Sequence, residues 1–153
     1  MAETVLVIKT DGMPYRDAIW DMVSTGGLKV VVSRRLLIPR SFHELLYPRG
    51  NHEGQPDAAW MRAMELQTSK ESEVAVLRGH NAVERLLEIA GRKTSPMECV
   101  RGTIRREFGV GGVETFGEFA LFRKIVHRPE TIQEALHDLP IIRALIRWKL
   151  LGI

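Results

Sequence analysis

The sequence predicts an α/β domain in the α+β arrangement called the ferredoxin-like split βαβ fold, with a four-stranded antiparallel sheet covered by helices. Three observations lead to this prediction. Runs typical of strands alternate with segments of helical spacing. Only about four such runs exist, which suits a single antiparallel or mixed sheet with helices on one face. The residues after the first run, Lys9-Thr-Asp-Gly12, match neither a dinucleotide-binding fingerprint nor a Walker P-loop.

Four apolar runs predict the strands. Val5–Ile8 is short and β-branched, as buried strands commonly are, and Leu28–Ile38 is rich in valine and leucine until Pro39 ends it. Glu73–Leu77 is predicted as the third strand and Phe119–Val126 as the fourth. His127 therefore stands directly at the end of the last predicted strand.

Helical spacing and end signals predict the helices between the strands. The first follows Pro14, a residue suited to a first helical turn, and ends at Gly26-Gly27. Ser41-Phe-His-Glu44 matches a capping box, so a short helix is expected through Tyr47. The remaining predicted helices are Asp57–Leu66, a segment capped by Asn81 and closed by Gly91, Thr103–Phe108, Thr131–Leu139 and Ile141–Leu151. Pro140 is expected to break or re-aim the chain between the last two, and loops are predicted at Pro48–Pro56 and Gly109–Val113.

Composition limits the classes of protein that the chain can be. Its 153 residues suit one domain over 1–153, in which 140–153 is read as a C-terminal helical extension. The net charge of +3 favours small anionic ligands such as nucleotides and is too small to imply nucleic acid. One cysteine, Cys99, excludes an intrachain disulfide and a cysteine-based zinc site. No apolar stretch is long enough to span a bilayer, so we expect a soluble cytoplasmic protein without membrane partners.

Five segments occur in the order found in nucleoside diphosphate kinases, and the chain resembles that family from its first strand to Asp138. The resemblance implies a ferredoxin-like domain that assembles as dimer-based hexamers or tetramers. It also implies ping-pong transfer of a γ-phosphate between nucleoside tri- and diphosphates through a phosphohistidine, with Mg2+ carried by the nucleotide. The matching segments are Val7–Gly12, Gly79–Val83, Thr94–Pro96, Gly102–Arg105 and Arg123–His127.

The resemblance implies four catalytic residues. His127 is the nucleophile, and Asp138 orients its ring where the family usually has glutamate, with Glu134 as a second candidate. Lys9 neutralises the γ-phosphate, and Tyr47 lies near the nucleophile. The chemistry is consistent with this set, because a neutral imidazole is nucleophilic near pH 7 once its other ring nitrogen is tethered.

The resemblance also implies ligands for the nucleotide, with several substitutions. Thr94 and Arg105 match phosphate ligands. Leu87 stands where the family has another phosphate-binding arginine, and Arg92 is the candidate replacement because Arg85 points elsewhere on that helix. Asp57 falls near the position of the phenylalanine that stacks on the base in the family, and Trp60 is an alternative ring. Lys124 stands in place of the asparagine that touches the sugar.

Two further departures concern the surroundings of His127. The residues after it are Arg128-Pro-Glu-Thr131 instead of Gly-Ser-Asp-Ser. The connection from Phe108 to His127 is longer than in common members, so Gly111 and Gly112 are expected to re-form the wall beside the nucleotide. These departures leave open an alternative, a degenerate member that binds nucleotide or a protein partner without catalysis. The other histidines are read as surface residues: His43, His52, His80 and His137.

Overall fold

The computed structural model describes residues 1–48 and 54–150. Most of the loop predicted at Pro48–Pro56 lies outside the described residues, as does His52, and so does the end of the predicted C-terminal extension after residue 150. The fold below is therefore that of the described ranges.

The described residues contain a four-stranded sheet, as predicted. Its strands are β1 (Ala2–Ile8), β2 (Lys29–Leu36), β3 (Ser72–Gly79) and, after two short strands described below, β6 (Val126–His127). They lie in the order β2-β3-β1-β6. Every neighbouring pair is antiparallel, which confirms the ferredoxin-like arrangement.

The helices connect these strands over both faces of the sheet. The described helices are a 3-10 turn at Thr10–Tyr15, α1 (Arg16–Thr25), α2 (Arg40–Leu46), α3 (Asp57–Thr68), α4 (Ala82–Ala90), a 3-10 turn at Pro96–Glu98, α5 (Ile104–Phe108) and α6 (Ile132–Leu150). Helices α1 and α4 cover one face, and α2 and α6 cover the other.

The prediction that helices cover only one face of the sheet is wrong. Leu6 and Ile8 of β1 pack with α1 and α4, whereas Val5 and Val7 pack with α2 and α6. Successive side chains of a strand point to opposite faces, so an uninterrupted apolar run such as Val5–Ile8 has both faces buried. The alternation of β1 thus determines that Lys9, two residues after Val7, lies toward the α2 and α6 face.

Two predicted helix ends are also wrong. Helix α2 begins at Arg40 after Pro39, and no side chain caps it, so the capping box at Ser41 is not used. Helix α6 continues through Pro140. An internal proline costs about 3 kcal/mol, yet Ile142 and Leu145 beyond it are completely buried against the sheet, and this burial is worth a comparable amount. The predicted extension is therefore the second part of α6.

The single strand predicted at Phe119–Val126 is wrong. The structure has a hairpin of β4 (Glu114–Phe116) and β5 (Phe119–Leu121), separate from the main sheet. The chain then turns sharply at Ile125, where φ is 67° and the N–H of Val126 donates to the carbonyl of Lys124 at 2.6 Å. An i to i+2 bond around a residue of positive φ is a strained γ-turn, which an apolar β-branched sequence does not predict. The pairing of β6 with β1 follows directly after it.

Candidate functional site

The ends of strands β1 and β6 form the centre of the candidate site. His127 pairs with Val7 in the sheet, and the N–H of Lys9 donates to the carbonyl of Ile125 at 2.9 Å. Paired residues point to the same face. His127 therefore faces α2 and α6, the same side as Lys9, and the two side chains come from segments more than 100 residues apart in the sequence (127 − 9 = 118).

Asp138 holds the ring of His127 from helix α6. Its Oδ2 lies 2.7 Å from Nε2 of His127, and its Oδ1 lies 2.8 Å from Nδ1 of His137. The carboxylate is only 3% exposed. Since a carboxylate accepts hydrogen bonds, Nε2 of His127 carries the proton in the neutral ring and Nδ1 carries the free lone pair.

Burial keeps His127 neutral near pH 7. Its side chain is 15% exposed. Desolvation, the largest effect, lowers its pKa below the ordinary 6.5 together with the charges of Lys9 and Arg105, although the hydrogen bond and the charge of Asp138 raise it. The site therefore contains an oriented, unprotonated imidazole nitrogen at neutral pH, which is the state that a nucleophile needs.

Lys9 and Tyr47 complete the group around His127. The ring of Tyr47, at the end of α2, meets the ring of His127 edge-on with centroids 5.0 Å apart. The ammonium group of Lys9 lies 5.0 Å from the centroid of the same tyrosine ring. Burial, and after it the charge of Lys124, lower the pKa of Lys9 to about 7. The structure thus brings together all four residues predicted as catalytic.

Arg105, predicted as a phosphate ligand, supports the segment that carries His127. It is 4% exposed. Its Nε donates to the carbonyl of Lys124 at 3.3 Å and its Nη2 to the carbonyl of Val126 at 3.1 Å, one on each side of Ile125. Its Nη1 donates to the carbonyl of Lys93 at 2.8 Å. These bonds hold the strained turn in place and occupy three of the five N–H groups of the guanidinium.

Four cationic side chains lie close together beside His127. They are Lys9, Arg105, Lys124 and Arg128. The pKa values of Lys9, Lys124 and Arg105 are all lowered, first by burial and then by neighbouring cations, and that of Arg105 falls to about 10. Within the described ranges, only Arg128 of the four forms an ion pair, with Glu130. Such a concentration of buried positive charge is unfavourable unless an anion binds there.

A cavity of about 830 Å³ extends from this group toward helix α3. Its lining includes two groups of residues, which we call the His127 end and the Trp60 end: Lys9, Tyr47 and Lys124 belong to the cluster beside His127, and Trp60 of α3 lines it together with Gly112 and Leu121 around the hairpin. The guanidinium of Arg40 stacks on the ring of Trp60 at 5.6 Å. His127 does not line the cavity, and the ring of Tyr47, which does, contacts the ring of His127 edge-on. The volume is within the usual range for small-molecule sites.

Two of the other predicted ligands, Arg92 and Thr94, do not line the cavity. Arg92 pairs with Glu84 and Glu88 on α4, so the structure does not bring its guanidinium to the other cations. Thr94 is exposed and follows Lys93, whose carbonyl accepts from Arg105. Glu134 accepts from the N–H of Glu130 at 2.6 Å and so does not orient His127.

Sequence reasoning missed three features near the site. His43 is completely buried, contrary to the surface prediction, and burial lowers its pKa to about 4. Arg128, which the sequence presents only as a departure from the family pattern, is 5% exposed. The hairpin is tied to α3 by Arg62, whose Nε lies 3.1 Å from Oε2 of Glu114. His43 lies four residues before Tyr47 on a short helix, and this spacing places both side chains on one face, which was a usable signal for the burial of His43. The burial of Arg128 and the contact of Arg62 with Glu114 depend on distant segments.

The described part of the chain has no helix long and apolar enough to cross a membrane. The same residues contain no group of three or more histidine, cysteine, aspartate or glutamate side chains placed to hold a metal ion.

Known proteins are similar to this chain over most of its length. The family model described as nucleoside diphosphate kinase matches residues 2–142. A nucleoside diphosphate kinase of Kosmotoga olearia is 30% identical over 144 residues, which cover 92% of this chain and 88% of that one. One from Staphylococcus epidermidis is 29% identical, with 92% and 87% covered.

Solved structures support the same fold. The nucleoside diphosphate kinase of Halobacterium salinarum in complex with CDP has a TM-score of 0.75 at 21% identity, covering 92% of this chain and 86% of that one. A transition-state mimic of the Borrelia burgdorferi enzyme with bound vanadate and ADP has a TM-score of 0.73 at 23% identity, with 92% and 85% covered.

Proposed function

The chain belongs to the nucleoside diphosphate kinase family, and we propose that the phosphoryl group it transfers between nucleotides passes through Nδ1 of His127. The reaction moves the γ-phosphate of a nucleoside triphosphate to a nucleoside diphosphate. The observation that carries the assignment of His127 is its hydrogen bond to buried Asp138, because that bond leaves Nδ1 unprotonated.

The proposed reaction has two matched steps. Nδ1 attacks the γ-phosphorus, an Nδ1–P bond forms as the bond from phosphorus to the bridging oxygen breaks, and the diphosphate leaves with that electron pair. A second diphosphate then attacks the phosphohistidine, and the Nδ1–P bond breaks. The proton on Nε2 stays on the ring throughout, and the carboxylate of Asp138 stabilises the positive charge that develops on the imidazole.

The cations beside His127 supply the electrostatic part of this proposal. Phosphoryl transfer depends mainly on positioning and on charge stabilisation at the transferring oxygens. Lys9 and Lys124 line the cavity at the end next to Tyr47, so phosphates entering there meet positive charge. We propose that Mg2+ arrives as part of the nucleotide complex and neutralises further phosphate charge.

The base is proposed to occupy the other end of the cavity. Trp60 supplies an aromatic ring there, and Gly112 with the hairpin supplies the opposite side. Stacking on an aromatic ring does not distinguish strongly between bases, so a broad base preference is expected. Arg92 and Thr94 are proposed as weaker contributors, since their side chains are exposed outside the cavity lining.

We also propose that the protein forms homo-oligomers in the cytoplasm, where its nucleotide substrates are found. Strand β2 is an edge of the sheet and exposes Val30, Val31 and Val32, each between 37% and 42%. An exposed apolar edge strand is a surface that proteins commonly cover by association. Light scattering coupled to size-exclusion chromatography measures the subunit count, and a monomer at micromolar concentration contradicts this part of the proposal.

Phosphoenzyme formation tests the proposed function. The protein is incubated with ATP labelled at the γ-phosphate and Mg2+, and the label is followed through acid and base treatment. We expect acid-labile, base-stable label on the wild type, none on His127→Ala, and normal labelling of His80→Ala as the matched control. ATP-to-GDP phosphate exchange is measured in parallel. Nucleotide binding without label or exchange would contradict the proposal and favour the non-catalytic alternative.

A further inference from the structure

The residue after the proposed nucleophile, Arg128, is anchored at the end of helix α4. Its Nε and Nη2 donate to the carbonyl of Gly91 at 3.1 and 2.9 Å, and Nη2 also donates to the carbonyl of Arg92 at 3.2 Å. Gly91 is the first residue after α4, with φ of 111°, so these acceptors are backbone carbonyls of the segment that follows the helix, and backbone carbonyls are strong acceptors. They therefore hold one side of the guanidinium in a fixed orientation.

The other side of the guanidinium is only weakly engaged. Nη1 lies 3.4 Å from Oε1 of Glu130, which is long for a charge-assisted hydrogen bond. The side chain of Glu130 is 56% exposed, whereas that of Arg128 is 4% exposed. An exposed carboxylate at this distance contributes little and is easily displaced by a better anion.

The charges around Arg128 favour an anion at Nη1. Arg128 contributes to lowering the pKa values of Lys9, Arg105 and Lys124, which means that it adds repulsion to a group already rich in positive charge. A neutral donor such as glutamine would also bond to the carbonyl of Gly91 without this repulsion. Within the described residues, the charge of Arg128 is offset only in part, by the carboxylates of Glu130 and Glu134.

We propose that Nη1 of Arg128 binds an oxygen of a nucleotide phosphate beyond the α-phosphate and that Glu130 holds this position in the ligand-free protein. The inference rests on the proposed function. It also accounts for Leu87, the buried residue whose carbonyl accepts from the N–H of Gly91. The family resemblance implies a cation at that helix position, and Arg128, the residue after β6, brings one to the same helix end.

Binding measurements with ligands of different phosphate number test the proposal. Calorimetry is done with AMP, ADP and inorganic pyrophosphate on the wild type, Arg128→Gln, Arg128→Lys and Glu130→Gln. Arg85→Gln is the matched control, because Arg85 also donates to a backbone carbonyl, that of Gly26, outside this group. We expect Arg128→Gln to weaken ADP and pyrophosphate binding about tenfold or more, and AMP binding less.

Glu130→Gln distinguishes phosphate binding from a merely structural role. It removes the competing carboxylate and leaves the carbonyl anchors intact, so ADP is expected to bind about two- to fivefold more tightly. Arg128→Lys is expected to bind ADP with an affinity between the wild type and Arg128→Gln. Thermal unfolding of every variant identifies any that fail to fold. If Arg128→Gln fails to fold, the ADP affinity of Glu130→Gln still decides the test.

Three outcomes overturn the proposal. They are equal losses for AMP and ADP in Arg128→Gln, an unchanged ADP affinity in Glu130→Gln, or a loss of the same size in Arg85→Gln. If phosphate exchange persists in the wild type under any of these outcomes, the proposed function survives and only the role of Arg128 fails. If exchange is absent but pyrophosphate binding depends on Arg128, the anion site is real and the proposed function fails.

Discussion

The two ends of the candidate nucleotide site are held in different ways. At the His127 end, Asp138, Arg105 and Arg128 are 3% to 5% exposed and are bonded to a histidine or to backbone carbonyls. At the Trp60 end, helix α3 and the hairpin meet through Arg62 and Glu114, whose side chains are 37% and 41% exposed. Buried networks are costly to alter, and exposed pairs are not.

This difference indicates which part of the site tolerates amino-acid substitutions. Side chains at the His127 end share hydrogen-bond partners. Asp138 accepts hydrogen bonds from two histidines, and Arg105 donates to the carbonyls on both sides of Ile125. Substitutions there are expected to affect the chemistry strongly. Substitutions at the Trp60 end are expected to change affinity for the base and little else.

Asp138→Asn is expected to have the largest effect among the predictions that separate the two ends. The amide can donate to Nε2 and so place the proton on Nδ1, the nitrogen that must stay free, and kcat is expected to fall on the order of 10³-fold. Steady-state exchange kinetics measure this. His137→Ala, which removes the other bond to the same carboxylate, is the control and is expected to lose less than about tenfold.

The pH profile sharpens this prediction. The neutral ring of His127 reacts, so wild-type kcat is expected to fall as the pH decreases through its lowered pKa. Asp138 raises that pKa through its hydrogen bond and its charge. Asp138→Asn is therefore expected to move the acid limb to lower pH, and a shift to higher pH contradicts the assigned role.

Lys9→Met is expected to reduce exchange by about 10²-fold, because one preorganised cation at the transferring phosphate is lost. The same substitution is expected to increase the stability of the folded protein. The pKa of Lys9 is about 7 in the folded protein and 10.5 ordinarily, so the unfolded chain holds more protons between these values and the wild type gains stability as the pH rises. At pH 7, thermal unfolding of Lys9→Met should occur at a higher temperature than that of the wild type.

ADP affinity provides a check on Lys9 that activity does not. As the pH rises above about 7 the free protein loses the proton of Lys9, so ADP binding is expected to weaken and to take up a proton. Calorimetry in buffers of different ionisation enthalpy measures the uptake. Lys9→Arg retains its charge and should bind ADP without taking up a proton. Equal proton uptake by the variant and the wild type rules out Lys9 as the source.

Trp60→Ala is expected to raise KM by about tenfold with kcat nearly unchanged, since stacking on a base is worth about 1–3 kcal/mol in both ground and transition states. Trp60→Phe retains a ring and should recover most of the affinity. A fall in kcat as large as that of Lys9→Met would show that the two ends are not separable.

Glu114→Gln is expected to have the smallest effect. It weakens the exposed contact between the hairpin and α3, which is worth about 0–1 kcal/mol, so KM is expected to rise by at most about fivefold. Arg62→Gln should match it, and the double variant should be no worse than either single one. A double-variant loss equal to the sum of two large losses would mean that each residue contacts the nucleotide independently.

The predictable part of the site is the part that local sequence determines. The strand Val5–Ile8 and the helix patterns predicted the α+β sheet, and the ordered matches predicted Lys9, Tyr47, His127 and Asp138 as neighbours. The apolar run Phe119–Val126 was misread because a strained turn at Ile125 is stabilised by the distant Arg105, whose bonds no local pattern contains. His43 was misread because its burial depends on the packing of α2 against the sheet.

The class of fold follows from the amino-acid sequence, because hydrophobic periodicity is a local property, and the resemblance to the family implies which residues meet at the end of β1. Only the tertiary structure decided which carboxylate orients His127, where Arg92 and Arg128 direct their charges, and how the hairpin closes the cavity. Those outcomes depend on burial and on backbone carbonyls supplied by segments far apart in the chain. Desolvation and hydrogen bonding act between such segments only after they have packed together.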